Sequence, residues 1–125
     1  MVTFHRLILF ALNLHTLKDF YTRHFGMEVT EEIPGEWVVL RSSGAEIALH
    51  KIGEAYFDPE EPFNASSNTK MVFMIDEDMV QFRQKLMDSH VEMREIFASG
   101  TPKYFYCDGE DPEGNVFQLM QKAPK

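Results

Sequence analysis

Several features that define large classes of protein are scarce in this sequence. Cys107 is the single cysteine in 125 residues, which excludes a disulfide framework or a cysteine metal site within one chain and is typical of a reducing cytoplasm. No apolar run approaches the roughly 20 residues that a membrane span requires. The run at residues 7–12 leads into a capped helix, not a cleavage site, and so predicts a buried strand rather than a secretion signal. We therefore expect a cytoplasmic protein.

Basic residues are also in short supply. The chain has 12 lysines and arginines against 20 aspartates and glutamates, for a formal net charge of -8 at pH 7. A field of this sign repels phosphate backbones and anionic lipids, so we expect neither nucleic acid nor membrane as a partner. No Ser-His-Asp order, phosphate-binding loop or zinc-protease motif is present. The composition, with 44% hydrophobic and 13% aromatic residues, indicates an ordinary globular domain.

The predicted elements follow the same order twice. The first half predicts strand, helix and three strands at residues 4–12, 14–25, 27–33, 36–41 and 45–52. A connection at 53–69 is rich in Pro, Asn and Ser. The second half predicts a strand, a helix that ends near Ser89, and three strands, at residues 71–75, 79–89, 91–97, 103–108 and 115–121, and His90 is a candidate for the last position of the inner, core-facing stripe of the helix. The chain is thus predicted to be one domain of two modules, residues 1–52 and 70–125.

Local signals support both helices and the last turn. Asn13 is an N-cap candidate and Gly26 a C-cap candidate for the first helix, and Asp76 or Asp78 can cap the second. Residues 111–115, with the sequence Asp-Pro-Glu-Gly-Asn, suit a type I turn that delivers the last strand.

These segments resemble the vicinal oxygen chelate superfamily, which includes glyoxalase I, bleomycin-resistance proteins and extradiol dioxygenases. The resemblance rests on residues 13–29, with their Asn-Leu, Leu-Lys-Asp-Phe-Tyr and Phe-Gly-Met-Glu-Val segments, and on the turn at 111–115. It implies an α+β fold in which tandem βαβββ modules form a curved mixed sheet around a cavity, with two helices packed outside, usually in a homodimer. It implies no single reaction, because the superfamily contains lyases, epimerases, dioxygenases, thiol transferases and binding proteins.

The resemblance also implies four cavity-facing positions that metalloenzymes of the superfamily fill with His, Glu or Gln. In this chain they fall on Arg6, Ala48, Lys70 and Gln118. Arginine has only donors and stays protonated, so it cannot bind a metal, and only Gln118 offers a suitable ligand atom. We predict no metal cofactor. A register shift of one residue would present His5 instead, and a divalent metal bound by His5, His50 and Gln118 is the alternative.

Strand alternation predicts which side chains share the cavity with Arg6 and Lys70. They are Ile8, Phe10, Glu46, His50, Val72, Met74, Val116, Gln118 and Met120. This mixture suits a small organic ligand with one anionic or strongly hydrogen-bonding end, held by Arg6 through two parallel bonds and by Lys70 as a point charge. In a second interpretation, Arg6 or Lys70 instead pairs with Glu46, Asp108 or Glu110 within the protein.

Two classes of function remain open from the sequence. We predict a protein that binds a small organic molecule in a largely apolar cavity without a metal, as bleomycin-resistance proteins do. The alternative is a metal-dependent lyase, isomerase or dioxygenase acting on a small carbonyl or aromatic substrate. A metal-free enzyme would need His50 or Glu46 as its proton carrier.

Overall fold

The computed structural model describes residues 1–53, 69–100 and 103–123. The chain divides into two compact units, Met1–Asn64 and Ala65–Lys125, which we call module one and module two. Each contains a strand, a helix and three strands, so the predicted α+β fold of tandem βαβββ modules is confirmed. Most of the predicted connection, residues 54–68, lies outside the described residues. Within the described ranges, no helix is long and apolar enough to cross a membrane.

Module one contains a four-stranded sheet with one helix on one of its faces. Its elements are β1 Leu7–Ala11, α1 Leu14–Phe25, β2 Glu28–Ile33, β3 Trp37–Ser42 and β4 Ala45–Lys51. The strand order is β1-β4-β3-β2, in which β1 runs parallel to β4 and the other pairs are antiparallel. The first strand begins at Leu7, not at residue 4. Leu7 pairs with Ile47, and β4 begins at Ala45, only two residues before Ile47, so the residues before Leu7 have little of β4 left to pair with.

Helix α1 is bounded by the predicted caps. The Asn13 side chain accepts a hydrogen bond from the Thr16 backbone N–H, and Gly26 adopts a left-handed conformation with φ of 63°. The buried side chains of the helix recur at helical spacing and pack against β3 and β4: Leu14, Leu17, Phe20 and Tyr21. The sheet face beneath α1 is therefore the core of module one.

Module two repeats this architecture with a second four-stranded sheet. Its elements are β5 Met71–Met74, α2 Met79–Asp88, β6 Glu92–Ser99, β7 Tyr104–Glu110 and β8 Val116–Lys122. The strand order is β5-β8-β7-β6, with β5 parallel to β8. Asp78, not Asp76, caps α2 and accepts from the Gln81 N–H. The helix ends at Asp88, and His90 lies beyond it with φ of 64°, so the prediction that His90 belongs to the core-facing stripe of the helix was wrong.

The turn at residues 111–115 is held by a buried carboxylate. Asp111 accepts hydrogen bonds from the backbone N–H groups of Glu113 and Asn115, each over 2.9 Å, and from the Asn115 side chain over 2.8 Å. Gly114 follows with φ of 86°, a conformation that favours glycine. This network sets the point at which β8 begins and hence its register against β7.

Candidate functional site

Each sheet has one face covered by its helix and one that is not, which we call the open face. Residues paired across strands project to the same side, so the register identifies the open faces. In module one the pairs are Ile8 with Ala48, Phe10 with His50, Trp37 with His50, Val39 with Ala48, and Arg41 with Glu46. In module two they are Val72 with Gln118, Met74 with Met120, Tyr106 with Met120, and Asp108 with Gln118.

The open face of module one carries an aromatic cluster, formed by Phe10, Trp37 and His50. The His50 ring lies 5.6 Å from the Phe10 ring and 5.6 Å from the Trp37 ring, which it meets edge to face. Phe10 is 58% exposed although it is a large apolar side chain. An exposed aromatic group of this kind is a surface suited to the flat apolar part of a ligand.

A charged group lies beside the aromatic cluster. Arg6 Nε donates to Glu46 Oε1 over 2.8 Å, and the Arg6 guanidinium stands 5.6 Å from the centre of the Trp37 ring. An Arg41 nitrogen lies 3.5 Å from the other carboxylate oxygen of Glu46, and His5 Nε2 lies 3.4 Å from Oε1. The hydrogen bond from Arg6 lowers the pKa of Glu46, even though partial burial opposes this effect. Glu46 is therefore held as a carboxylate.

The open face of module two also presents apolar and aromatic side chains. Met74 is 62% exposed, and Val72 beside it is exposed as well. The rings of Phe97 and Tyr106 stack with their centres 5.4 Å apart. Methionine and valine next to a stacked aromatic pair form an adaptable apolar surface.

Asp108 organises the charged groups of this second face. Lys70 Nζ donates to Asp108 Oδ2 over 2.7 Å, and Gln118 Nε2 donates to Oδ1 over 3.0 Å. Arg94 approaches Asp108 at 3.8 Å and Glu110 at 3.2 Å. Glu92 is the cross-strand partner of Glu110, and the interaction between their carboxyl groups, followed by burial, raises the pKa of Glu110.

The predicted site residues therefore appear as two groups, one in each module. Module one holds Arg6, Ile8, Phe10, Glu46 and His50, and module two holds Lys70, Met74, Gln118 and Met120. Val116 pairs with Glu110 and lies on the open face of module two as expected. Both internal ion pairs of the second interpretation are present, Arg6 with Glu46 and Lys70 with Asp108.

Sequence reasoning missed several side chains of the open faces, among them Trp37, Arg41, Arg94, Phe97 and Tyr106. The signal that could have found Trp37 and Arg41 was the short turn between β3 and β4. Because Ser42 pairs with Ala45, simple counting places Arg41 opposite Glu46 and Trp37 opposite His50. The bulge between Met93 and Ile96 shifts the register of β6 against β7, so counting residues from a turn does not place Arg94 and Phe97 on the open face.

Cys107 is buried on the helix-covered side of module two. Its Sγ lies 3.2 Å from the Arg94 carbonyl oxygen, to which it can donate, and burial raises the pKa of the thiol. Cys107 is thus a buried thiol, and its raised pKa disfavours the nucleophilic thiolate.

The residues at the four implied metal positions do not fit a divalent cation. Arg6 and Lys70 are cations bound to carboxylates, Ala48 has no ligand atom, and the Gln118 amide donates to Asp108. His5 Nε2 lies 3.4 Å from Glu46 Oε1, whereas the His50 ring packs against the rings of Phe10 and Trp37. Among residues 1–53, 69–100 and 103–123, no group of three or more His, Cys, Asp or Glu is arranged to hold a metal ion.

Comparison with protein-family models identifies the group to which this architecture belongs. Residues 3–119 match the model of the Glyoxalase/Bleomycin resistance protein/Dioxygenase superfamily. The chain belongs to this superfamily. The resemblance inferred from residues 13–29 and 111–115 is thereby confirmed. A search of curated proteins gave no match.

Several solved structures align with almost the entire chain. An integron cassette protein from the mobile metagenome of V. cholerae has 19% identity and a TM-score of 0.73, with 98% of this chain and 97% of that chain covered. The fosfomycin resistance protein FosX from Listeria monocytogenes has 13% identity and a TM-score of 0.75, with coverage of 98% and 95%. Lactoylglutathione lyase from Agrobacterium tumefaciens has 17% identity and a TM-score of 0.69, with coverage of 95% and 92%. At these identities the likeness concerns the fold.

Proposed function

We propose that this protein binds a small organic molecule on the largely apolar open faces of its sheets and that it does so without a metal. The observation that carries the proposal is the exposure of apolar and aromatic side chains, such as Phe10 and Met74, next to ordered polar groups on the same faces. Ligand sites combine an apolar lining with a few placed polar groups in this way.

The chemistry of the charged residues supports the metal-free part of the proposal. A cation at a ligand position repels a second cation, and the ion pairs of Arg6 and Lys70 already occupy Glu46 and Asp108. At either position a divalent ion would have to displace the basic side chain and would then find few ligand atoms. The carboxylates therefore serve to hold Arg6 and Lys70 in place.

The arrangement is also unfavourable for proton transfer by Glu46. A general base works best when its pKa lies near the working pH, whereas the hydrogen bond from Arg6 lowers the pKa of Glu46. Binding without reaction is thus favoured over a metal-free enzyme. A metal-dependent lyase, isomerase or dioxygenase is the competing function, and measurement of bound metal separates the two.

Trp37 makes the proposal directly testable, because it is the one tryptophan of the chain and belongs to the aromatic cluster. Purified protein should contain far less than one bound divalent metal per chain. A panel of small aromatic and aliphatic compounds should include members that change Trp37 emission saturably and raise the melting temperature. Stoichiometric metal whose removal abolishes such binding would refute the proposal.

A pair of variants tests whether the open face is responsible. Phe10→Ala removes an exposed ring from the aromatic cluster, while Val80→Ala shortens an exposed apolar side chain on α2, away from the open faces. We expect Phe10→Ala to weaken binding of the panel members about tenfold, since an aromatic contact contributes roughly 0.5–1.5 kcal/mol beyond its buried area. Val80→Ala should bind like the wild type. Equal weakening in both variants would contradict the assignment.

We also propose that the protein forms a homodimer, as the superfamily resemblance led us to expect. Static light scattering on the purified chain measures the molar mass directly. A mass equal to that of one chain at micromolar concentration would contradict this part of the proposal.

A further inference from the structure

We infer that the open face of module one recognises the anionic end of its ligand, and that Arg41, held in place by Glu46, determines this specificity. The inference rests on the proposed function and concerns the same surface. It identifies the ligand class as an aromatic compound that carries a carboxylate or a similar anion. Neither the implied metal-ligand positions nor the strand alternation predicted that Arg41 takes part in binding.

The first observation is an imbalance of charge in module one. Two guanidinium groups, those of Arg6 and Arg41, share the single carboxylate of Glu46. The Glu46 side chain is only 9% exposed, so its charge is committed to these two partners. One positive charge therefore remains unmatched within the group.

The second observation is the way in which the two arginines differ. Arg6 is bound closely at 2.8 Å and lies mostly buried against Trp37, whereas Arg41 lies 3.5 Å from Glu46 and its side chain is 55% exposed. A guanidinium has five N–H donors in a fixed plane, so Arg41 can keep its contact with Glu46 and still offer a pair of donors to a second carboxylate. Arg6 is the fixed cation and Arg41 is the accessible one.

The surroundings of Arg41 include one more acidic residue. Glu28 is its cross-strand partner on β2, and its side chain is exposed. Among the residues that the structure describes, Arg41 forms its ion pair with Glu46 and not with Glu28. Since exposed ion pairs contribute little and are screened by salt, Glu28 competes only weakly with a ligand carboxylate.

The aromatic cluster determines what kind of anion fits. Trp37 and Arg41 are four residues apart on β3, so their backbones are roughly 13 Å apart along the strand. The side chains between them on this face are the small or medium Val39 and Ala48. An elongated ligand can therefore place a ring against Trp37 and an anion beside Arg41.

Module two provides an internal contrast. Lys70 and Arg94, two basic side chains on its open face, form ion pairs with the carboxylates of Asp108 and Glu110. A third carboxylate, that of Glu92, interacts with Glu110. No excess positive charge results there. Anion recognition is thus assigned to module one alone.

The test uses 6-phenylhexanoate and its neutral counterpart 6-phenylhexanol, which share the same ring and chain length and are long enough to extend from Trp37 toward Arg41. Titration followed by Trp37 emission should show that the wild type binds the acid at least about tenfold more tightly, since charge-assisted bonds are roughly twice as strong as neutral ones. Arg41→Gln should lower this preference about five- to tenfold and leave 6-phenylhexanol binding unchanged. Arg23→Gln, at an exposed arginine of α1 in the same module, should keep the wild-type preference.

Glu46→Gln distinguishes recognition from a merely structural effect. Removing the negative charge of Glu46 raises the net positive charge around Arg41 and should strengthen binding of 6-phenylhexanoate relative to 6-phenylhexanol, whereas general damage to the face would weaken both. Equal affinity of the wild type for acid and alcohol would overturn the inference and leave the proposed function standing. Absence of any Trp37 response to these two compounds and to the whole panel would overturn both.

Discussion

Replacing Asp111 by alanine should be one of the most damaging single substitutions in module two. The carboxylate is 4% exposed and receives hydrogen bonds from Glu113 and from both the backbone and the side chain of Asn115. Asn115 is itself buried at 7% exposure. Alanine would leave two buried donors on Asn115 without their acceptor, while the Glu113 N–H lies closer to solvent.

The magnitude follows from these two buried donors. Each buried polar group left without a partner costs about 1–3 kcal/mol, so Asp111→Ala should lower the free energy of unfolding by about 2–6 kcal/mol. This is a large share of the roughly 5–15 kcal/mol by which a domain is stable. Asp111→Asn keeps an oxygen for the backbone donors and should lose about half as much. Asp19→Ala, at an exposed acid on α1, should change stability by less than about 0.5 kcal/mol.

Urea unfolding followed by far-ultraviolet circular dichroism is the appropriate assay, because the sole tryptophan lies in module one. The midpoint should fall from wild type through Asp111→Asn to Asp111→Ala, with Asp19→Ala close to the wild type. If Asp111→Ala unfolds within about 0.5 kcal/mol of the wild type, the buried network does not stabilise the turn and the reasoning is wrong.

Three further outcomes can be measured with the same assay. Gly109→Ala would place a Cβ 2.5 Å from the Met93 sulfur and 2.6 Å from the ring of the buried Phe117, so it should destabilise by about 1–3 kcal/mol. In Gly44→Ala the added Cβ meets nothing within 4 Å, so this variant should be nearly neutral, and equal effects of the two substitutions would contradict the reasoning. Glu92→Gln removes a like charge opposite Glu110 and should stabilise by up to about 0.5 kcal/mol at neutral pH. Because the pKa of Glu110 is raised, this gain should vanish in acid; a constant gain would argue against its electrostatic origin. Because the pKa of Glu46 is lowered, its ion pairs stabilise the fold at neutral pH, and that contribution should be lost as the pH falls through the carboxyl range, an effect that Glu46→Gln should not show.

The order of elements and the family could be predicted from the sequence because both depend on local patterns. Asn13 and Gly26 bound a helix through contacts within one turn of the chain, and the turn at 111–115 closes on itself through Asp111. Alternation along each strand also predicted correctly that Ile8, Phe10 and His50 share a face. These features depend on neighbours in sequence, and the sequence determined them by itself.

Only the tertiary structure decided which partners the charged residues have. Arg6 binds Glu46 across 40 residues and Lys70 binds Asp108 across 38, so both contacts depend on the register of distant strands. Several acceptors were compatible with each cation until that register placed one of them within hydrogen-bonding distance. Arg41 lies opposite Glu46 across the short turn between β3 and β4, but only the fold shows that Glu46 also binds the distant Arg6. Backbone preferences are local, whereas the choice of an ionic partner depends on which side chains folding brings together.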